Sequence, residues 1–268
     1  MAGLFGFFDY SKPGKGVSKD ENDSRFKIFF AVLLRKFWKF LQLNILYVIC
    51  SIPLIAVMLL FTPATEVNES EQVFKMFLFS VICLLYISVI GLAPIITGFT
   101  FVLRNYSREQ HAWIFSDFFE HIRKNFKQAM VVFLIDFVAV YLVLTNYAFY
   151  SSLENANMLI TIAKTFIVIA TSIYFMMHFY MFQIMVTFSM TVKQIYRNSL
   201  ILTLAHLPRN LGILALIMII AIATFSFSTF IGVVVAFLLS VSLIGYTVNF
   251  LVQPIIEKHL IAPTQLEE

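Results

Sequence analysis

From Leu211 to Val252 the chain is apolar almost without interruption, with Ser226, Ser228, Thr229 and Gly232 marking the one place where a turn is suggested. A bilayer's hydrocarbon core is about 30 Å thick and takes about 20 apolar residues per helical crossing. A run of this length is therefore a membrane element, either one crossing or two. Comparable runs recur along the chain, which is 60% hydrophobic and 13% charged over its 268 residues. An average soluble domain carries about 25% charge, so these side chains cannot clothe a water-soluble core. With 31 Phe, 11 Tyr and only 9 Gly, the composition is opposite to that of a disordered or collagen-like chain. The apolar runs are also unbroken rather than alternating, which argues against a β-barrel.

The expected fold is all-α: a polytopic transmembrane bundle of about six spans, at residues 41–62, 74–103, 129–150, 158–190, 211–229 and 231–253. A cytoplasmic N-terminal segment, residues 1–40, precedes this membrane domain (41–253), and a short tail (254–268) follows it. Reading 211–253 as one span would move the C-terminus across the membrane. The second and fourth spans exceed the length a bilayer requires, so they tilt or project.

Charge sets the expected orientation. Seventeen of the 19 Lys and Arg residues fall in the N-terminal region, the second and fourth loops and the tail. The opposite loops hold Glu66, Glu69, Glu71 and Glu154, with only Lys75 and Lys164 nearby. By the positive-inside rule both termini are cytoplasmic and the span count is even. The first 25 residues lack the apolar stretch of a cleavable signal, so the N-terminus is expected to stay on the synthesis side.

Two segments read as amphipathic and basic. Across Ser24–Phe40, Phe26, Phe29, Phe30, Leu33, Leu34, Phe37 and Trp38 recur at helical spacing beside Arg25, Lys27, Arg35, Lys36 and Lys39. This pattern fits a helix at the inner membrane surface, serving either as an entry into the first span or as a docking surface. Farther on, Asp117 and Glu120 have capping-box spacing. Phe119, Ile122, Phe126 and Met130 then form a stripe opposite Arg123, Lys124 and Lys127. The string His121-Ile-Arg-Lys124-Asn125-Phe126 aligns with His206-Leu-Pro-Arg209-Asn210-Leu211, each a basic residue and an Asn before a span.

Few residues suggest chemistry. The five histidines, His111, His121, His178, His206 and His259, show no metal-ligand spacing, and hydrolase and zinc motifs are missing from the sequence. Cys50 and Cys83 lie in apolar runs and read as small hydrophobes. Pro13–Ser18 has the residue types of a phosphate loop but not their order, and reads as a turn. No catalytic residue, metal or cofactor is expected, and no nucleic-acid partner. Inside the spans, Asp136 and His178 could form a proton- or substrate-linked pair, or could fix helix packing by hydrogen bonds. Pro94, flanked by Gly91 and Gly98, predicts a kink or interruption with close helix approach.

These features carry a resemblance. The series Gly91…Pro94…Gly98…Arg104-Asn105-Tyr106, then Ser116-Asp117-Phe118-Phe119 and Lys124-Asn125-Phe126-Lys127, resembles the YesL-like family of bacterial membrane proteins. Tyr10–Val17, Arg35-Lys36-Phe37-Trp38, Asn44, Pro53, Tyr196-Arg-Asn198 and Leu207-Pro208-Arg209-Asn210 are similar to it as well. The resemblance implies a multi-pass protein of the bacterial plasma membrane with no established activity, and no catalytic residues to carry over. Because many such genes lie beside carbohydrate ABC-importer components, it also implies a non-enzymatic accessory role in sugar uptake. The expected partner surface comprises Arg104, Asp117, Lys124, Asn125, Arg197, Arg209 and Asn210. The alternative is an autonomous small-molecule transporter using the polar groups of the bundle interior.

Overall fold

The computed structural model describes residues 24–60, 69–153 and 157–261. The apolar start, the Pro13–Ser18 turn, the Tyr10–Val17 motif, Glu66, Glu154 and the tail beyond Ile261 lie outside them. Every regular element among the described residues is a helix, and they contain no strand.

The N-terminal amphipathic stretch forms two helices. Ser24 caps α1 (Arg25–Arg35), a turn follows at Lys36, and α2 (Phe37–Cys50) begins there. Phe29 of α1 stacks on Tyr246 at 4.9 Å, and Arg25 donates to the Phe250 carbonyl at 3.2 Å. Phe26, Leu34 and Trp38 are each 74% exposed. α2 leads into α3 (Ile52–Leu59) through a 61° bend, with Pro53 in the first turn of α3. A proline there has no N–H to lose from the helix ladder and crowds the preceding turn, which accounts for the bend.

The expected second span divides. α4 (Glu69–Val89) ends where Gly91 takes φ +52°, with the N–H groups of Ile90 and Gly91 both donating to the Tyr86 carbonyl. α5 (Ala93–Ser107) then starts with Pro94 in its first turn and buries all but three of its residues. A helix enclosed by protein is as apolar as one facing lipid, so the run 74–103 reads as continuous in sequence although only α4 has the length of a crossing.

α6 (Ile114–Ser152) has 39 residues and is about 58 Å long at 1.5 Å per residue, well beyond a hydrocarbon core of about 30 Å. The cytoplasmic helix expected before the third span is thus continuous with it. α5 packs on the first part of α6: Thr97 donates to the His121 carbonyl at 3.3 Å, and Phe101 stacks on the His121 ring at 3.4 Å. A Cβ at Gly98 would fall on the Phe118 carbonyl, so glycine sets the approach of these two helices. The buried face of α6 is Ile114, Phe118, His121, Asn125, Ala129, Val132 and Asp136. It lies beside the apolar stripe, whose members Phe119 and Phe126 are exposed.

α7 (Met158–Thr187) buries its second half, from Met176 to Met185. After a capping box at Thr191, α8 (Val192–Ala205) runs to His206, where α9 (Leu207–Phe225) starts with Pro208 in its first turn. The long C-terminal run breaks at 226–228: Ser228 accepts from the Ile231 N–H at 3.1 Å and caps α10 (Thr229–Val235). A π-helical turn, Ala236–Ser240, joins α10 to α11 (Val241–Ile256), and a second one closes at Ile261. Among the described residues five helices are long and apolar enough to cross a membrane, or six if the bent pair α2–α3 is one span.

Candidate functional site

The heptad face of α6 carries Asp136 inward, and the i, i+4 spacing of Tyr174 and His178 puts both on one face of α7. The two faces meet. His178 Nε2 lies 3.1 Å from Asp136 Oδ1, and Tyr174 Oη donates to the same oxygen. Tyr196 of α8 brings its hydroxyl to 3.4 Å from that of Tyr174. Asp136 and His178 are 1% and 3% exposed.

His178 Nδ1 is 2.9 Å from the Tyr174 carbonyl. A carbonyl only accepts, so Nδ1 carries a proton. One further proton then lies between Nε2 and Asp136 Oδ1, giving either an imidazolium–carboxylate pair or a neutral imidazole with a carboxylic acid. Both contacts converge on Oδ1, while Oδ2 is buried without a hydrogen-bond partner. Burying such a group costs several kcal/mol unless a charge or hydrogen bond compensates.

Cavities lie on either side of the cluster. His178 borders one of about 20 Å³, shared with Ser88, Thr100, Gln183 and Asn249. That is enough for one water molecule. Gln183 Oε1 and Asn249 Oδ1 are both buried acceptors without a partner, which matches a water donating to each. Tyr174 borders the other, a cavity of about 800 Å³ between α4, α6, α7 and α9.

The sequence-expected pair Asp136 and His178 is therefore brought together. Gly91, Pro94 and Gly98 stand outside the cluster and act through the backbone: Gly98 sets the approach of α5 to α6, and across the break at Gly91 and Pro94, Ser88 and Thr100 line the same small cavity as His178. Tyr174 and Tyr196 were absent from the expected set, although Tyr174 has the i, i+4 spacing to His178 that marks it.

The expected partner surface fares differently. Asn125 and Asn210 are buried; Asn125 donates to the His121 carbonyl at 2.9 Å, and Asn210 accepts from Tyr180 at 2.7 Å and donates to the Thr203 carbonyl at 3.0 Å. Asp117 accepts from the Trp113 N–H at 2.8 Å and so caps α6, and Arg209 ties α9 to α11 through the Leu251 carbonyl at 2.6 Å. Arg104 is half-buried, and desolvation lowers its guanidinium to about 10. Lys124 and Arg197 remain as exposed cations. The basic-plus-Asn string thus marks helix-fixing positions in both copies. Among the described residues no group of three or more His, Cys, Asp or Glu is placed to hold a metal ion.

Residues 40–147 match a family described as "Protein of unknown function, DUF624". The match runs from the first turn of α2 to the last turns of α6. It includes Asn44, Gly91, Pro94, Gly98 and Asp136 and stops short of Tyr174 and His178. No curated protein and no solved structure matches the chain.

Proposed function

We propose that this chain is a non-enzymatic accessory protein that docks another membrane protein through the first part of α6, with a carbohydrate ABC importer as the partner class that the sequence resemblance suggests. The observation that supports this reading is an exposed aromatic surface at the start of a helix that is longer than one bilayer crossing needs. Gln128–Ser152 of α6 spans about 37 Å at 1.5 Å per residue and suffices to cross the hydrocarbon core. Ile114–Lys127 extends the helix by about 21 Å more. On this extension Phe115 is 64% exposed and Phe119 41%, and Trp113, just before it, is 68% exposed. Large apolar side chains exposed away from lipid tails mark an interaction surface, and Arg123, Lys124 and Lys127 beside them supply charge for orientation.

Crosslinking at native expression level followed by purification in mild detergent tests the reading. A membrane-protein partner, expected to be an importer subunit, should be recovered with the wild type, and its yield should fall several-fold with Phe115→Ser combined with Phe119→Ser. Recovery of the chain alone, or a yield unaffected by the double substitution, would overturn it.

A further inference from the structure

The 800 Å³ cavity between α4, α6, α7 and α9 is within the size range of small-molecule sites, about 300–1,000 Å³. Leu85, Val143, Phe166 and Met218 are among its apolar walls, while Tyr86 and Tyr174 bring hydroxyl-bearing rings to it. It lies along the outer, membrane-length parts of α6 and α7, beyond Asp136, so a molecule dissolved in the bilayer reaches it without crossing water.

The hydrogen bonding at Tyr174 says what kind of head group fits. Its proton is given to Asp136 Oδ1, so toward Tyr196 the Tyr174 oxygen acts as the acceptor across their 3.4 Å contact. Tyr174 Oη therefore has a lone pair left and no proton to offer. A head group meeting it must donate. The Asp136–His178 pair behind it shares one proton and is net neutral in either form, so the Tyr174 acceptor discriminates: it pairs with a neutral or cationic donor and not with a carboxylate.

We propose that this cavity binds a membrane-dissolved amphiphile: an aliphatic body lies between α4, α6, α7 and α9, and a hydrogen-bond-donating head, hydroxyl or ammonium, rests on Tyr174 in front of the Asp136–His178 pair. The site is separate from the aromatic surface of α6 and requires binding only, so it stands or falls independently of the accessory role.

The test uses the full chain in phosphatidylcholine nanodiscs, photolabelled with a diazirine-bearing dodecylamine and competed with dodecylamine, dodecanol, dodecanoate or dodecane. Labelling is expected on α4, α6, α7 or α9, displaced by the amine and the alcohol. Dodecanoate and dodecane should compete about ten-fold more weakly, the factor expected for one hydrogen bond to a charged or strongly polarised group. Tyr174→Phe keeps the ring and removes the acceptor, and should weaken the amine by a similar factor relative to the folded variant without probe, its lost hydrogen bond to Asp136 lowering the melting temperature in both conditions alike. Ala139→Phe fills the cavity without touching the polar cluster and should abolish displaceable labelling. Equal competition by all four probes, unchanged amine affinity in Tyr174→Phe, or labelling confined to other helices would each overturn the proposal.

Discussion

His121 is held between a backbone carbonyl and an aromatic ring, in a site whose burial disfavours its charged form. Its Nδ1 donates to the Asp117 carbonyl at 2.9 Å, and its ring lies flat on Phe101. Desolvation lowers its pKa below 6.5, assisted by Lys124 and opposed by the Asp117 carbonyl bond and by the charges of Glu120 and Asp117. A basic group lowered in the folded state takes up its proton more readily when unfolded. On acidification below 6.5 the unfolded chain binds more protons, so stability is intact above that pH and declines as pH falls toward the folded-state value. The wild type in detergent should therefore melt at a lower temperature at about pH 5.5 than at about pH 7.5. His121→Phe preserves the stack on Phe101 and should shrink that difference. His206, lowered by burial and by the neighbouring His259 and Arg209, leaves a smaller dependence of the same sign. An undiminished pH difference in His121→Phe would show that the ring's burial is energetically unimportant.

Among the elements, the junction of α10 and α11 depends on a residue far away in sequence. A π-helical turn displaces the i to i−4 ladder and leaves backbone groups in need of partners. Asn44 of α2 supplies them. Its Nδ2 donates to the carbonyls of Ala236 and Phe237 at 2.9 and 2.6 Å, and its Oδ1 accepts from the Ser242 N–H at 2.6 Å. Asn44→Leu preserves approximate volume and strips all three contacts. At about 1–3 kcal/mol for a buried group left unsatisfied, it should cost on the order of 3 kcal/mol in thermal or denaturant unfolding. Asn146→Leu, where the exposed amide bonds only its own helix at Leu142, should cost little and serves as the control. Equal melting of the two variants would remove Asn44 from this role. The sequence marks Asn44 as an intramembrane amide, but not its partners about 190 residues away, because a π-turn has no local residue signature. The Gly91–Pro94 break is different. A positive-φ glycine and a proline act on their own backbone, so both it and the small-residue turn at 226–228 can be read locally. The inward face of α6 was hidden for a third reason: in lipid the apolar stripe turns outward, and the packed side carries His121, Asn125 and Asp136.

At the scale of the molecule, the number of crossings turns on the bent pair α2–α3, which either spans the bilayer or dips in and returns. Contacts elsewhere give the expectation that it spans. Arg35 at the end of α1 pairs with Glu109 at 2.8 Å, and Lys36 donates to the Gln110 carbonyl at 2.8 Å, so α1 lies on the side of the α5–α6 turn. α4 reaches that same side at its C-terminal end, through Gly91 and α5, and its N-terminal end at Glu69 is therefore opposite. In a six-span arrangement the chain leaves α1 on one side and enters α4 on the other, and the 23 residues of Phe37–Leu59 are expected to cross. At about 1.5 Å per residue they are long enough to do so even with the bend. Six crossings would return the C-terminus to the side of α1, the side that the positive-inside rule predicts to be cytoplasmic. Single cysteines in a Cys50→Ala, Cys83→Ala background should then divide cleanly when a membrane-impermeant maleimide is applied to intact cells and to inverted vesicles. Lys39→Cys, Arg123→Cys and Lys258→Cys should label only in inverted vesicles, and Lys75→Cys and Ser152→Cys only in intact cells. Labelling of Lys39→Cys together with Lys75→Cys would make α2–α3 a re-entrant pair, and would require the Arg35–Glu109 contact to be broken in the membrane.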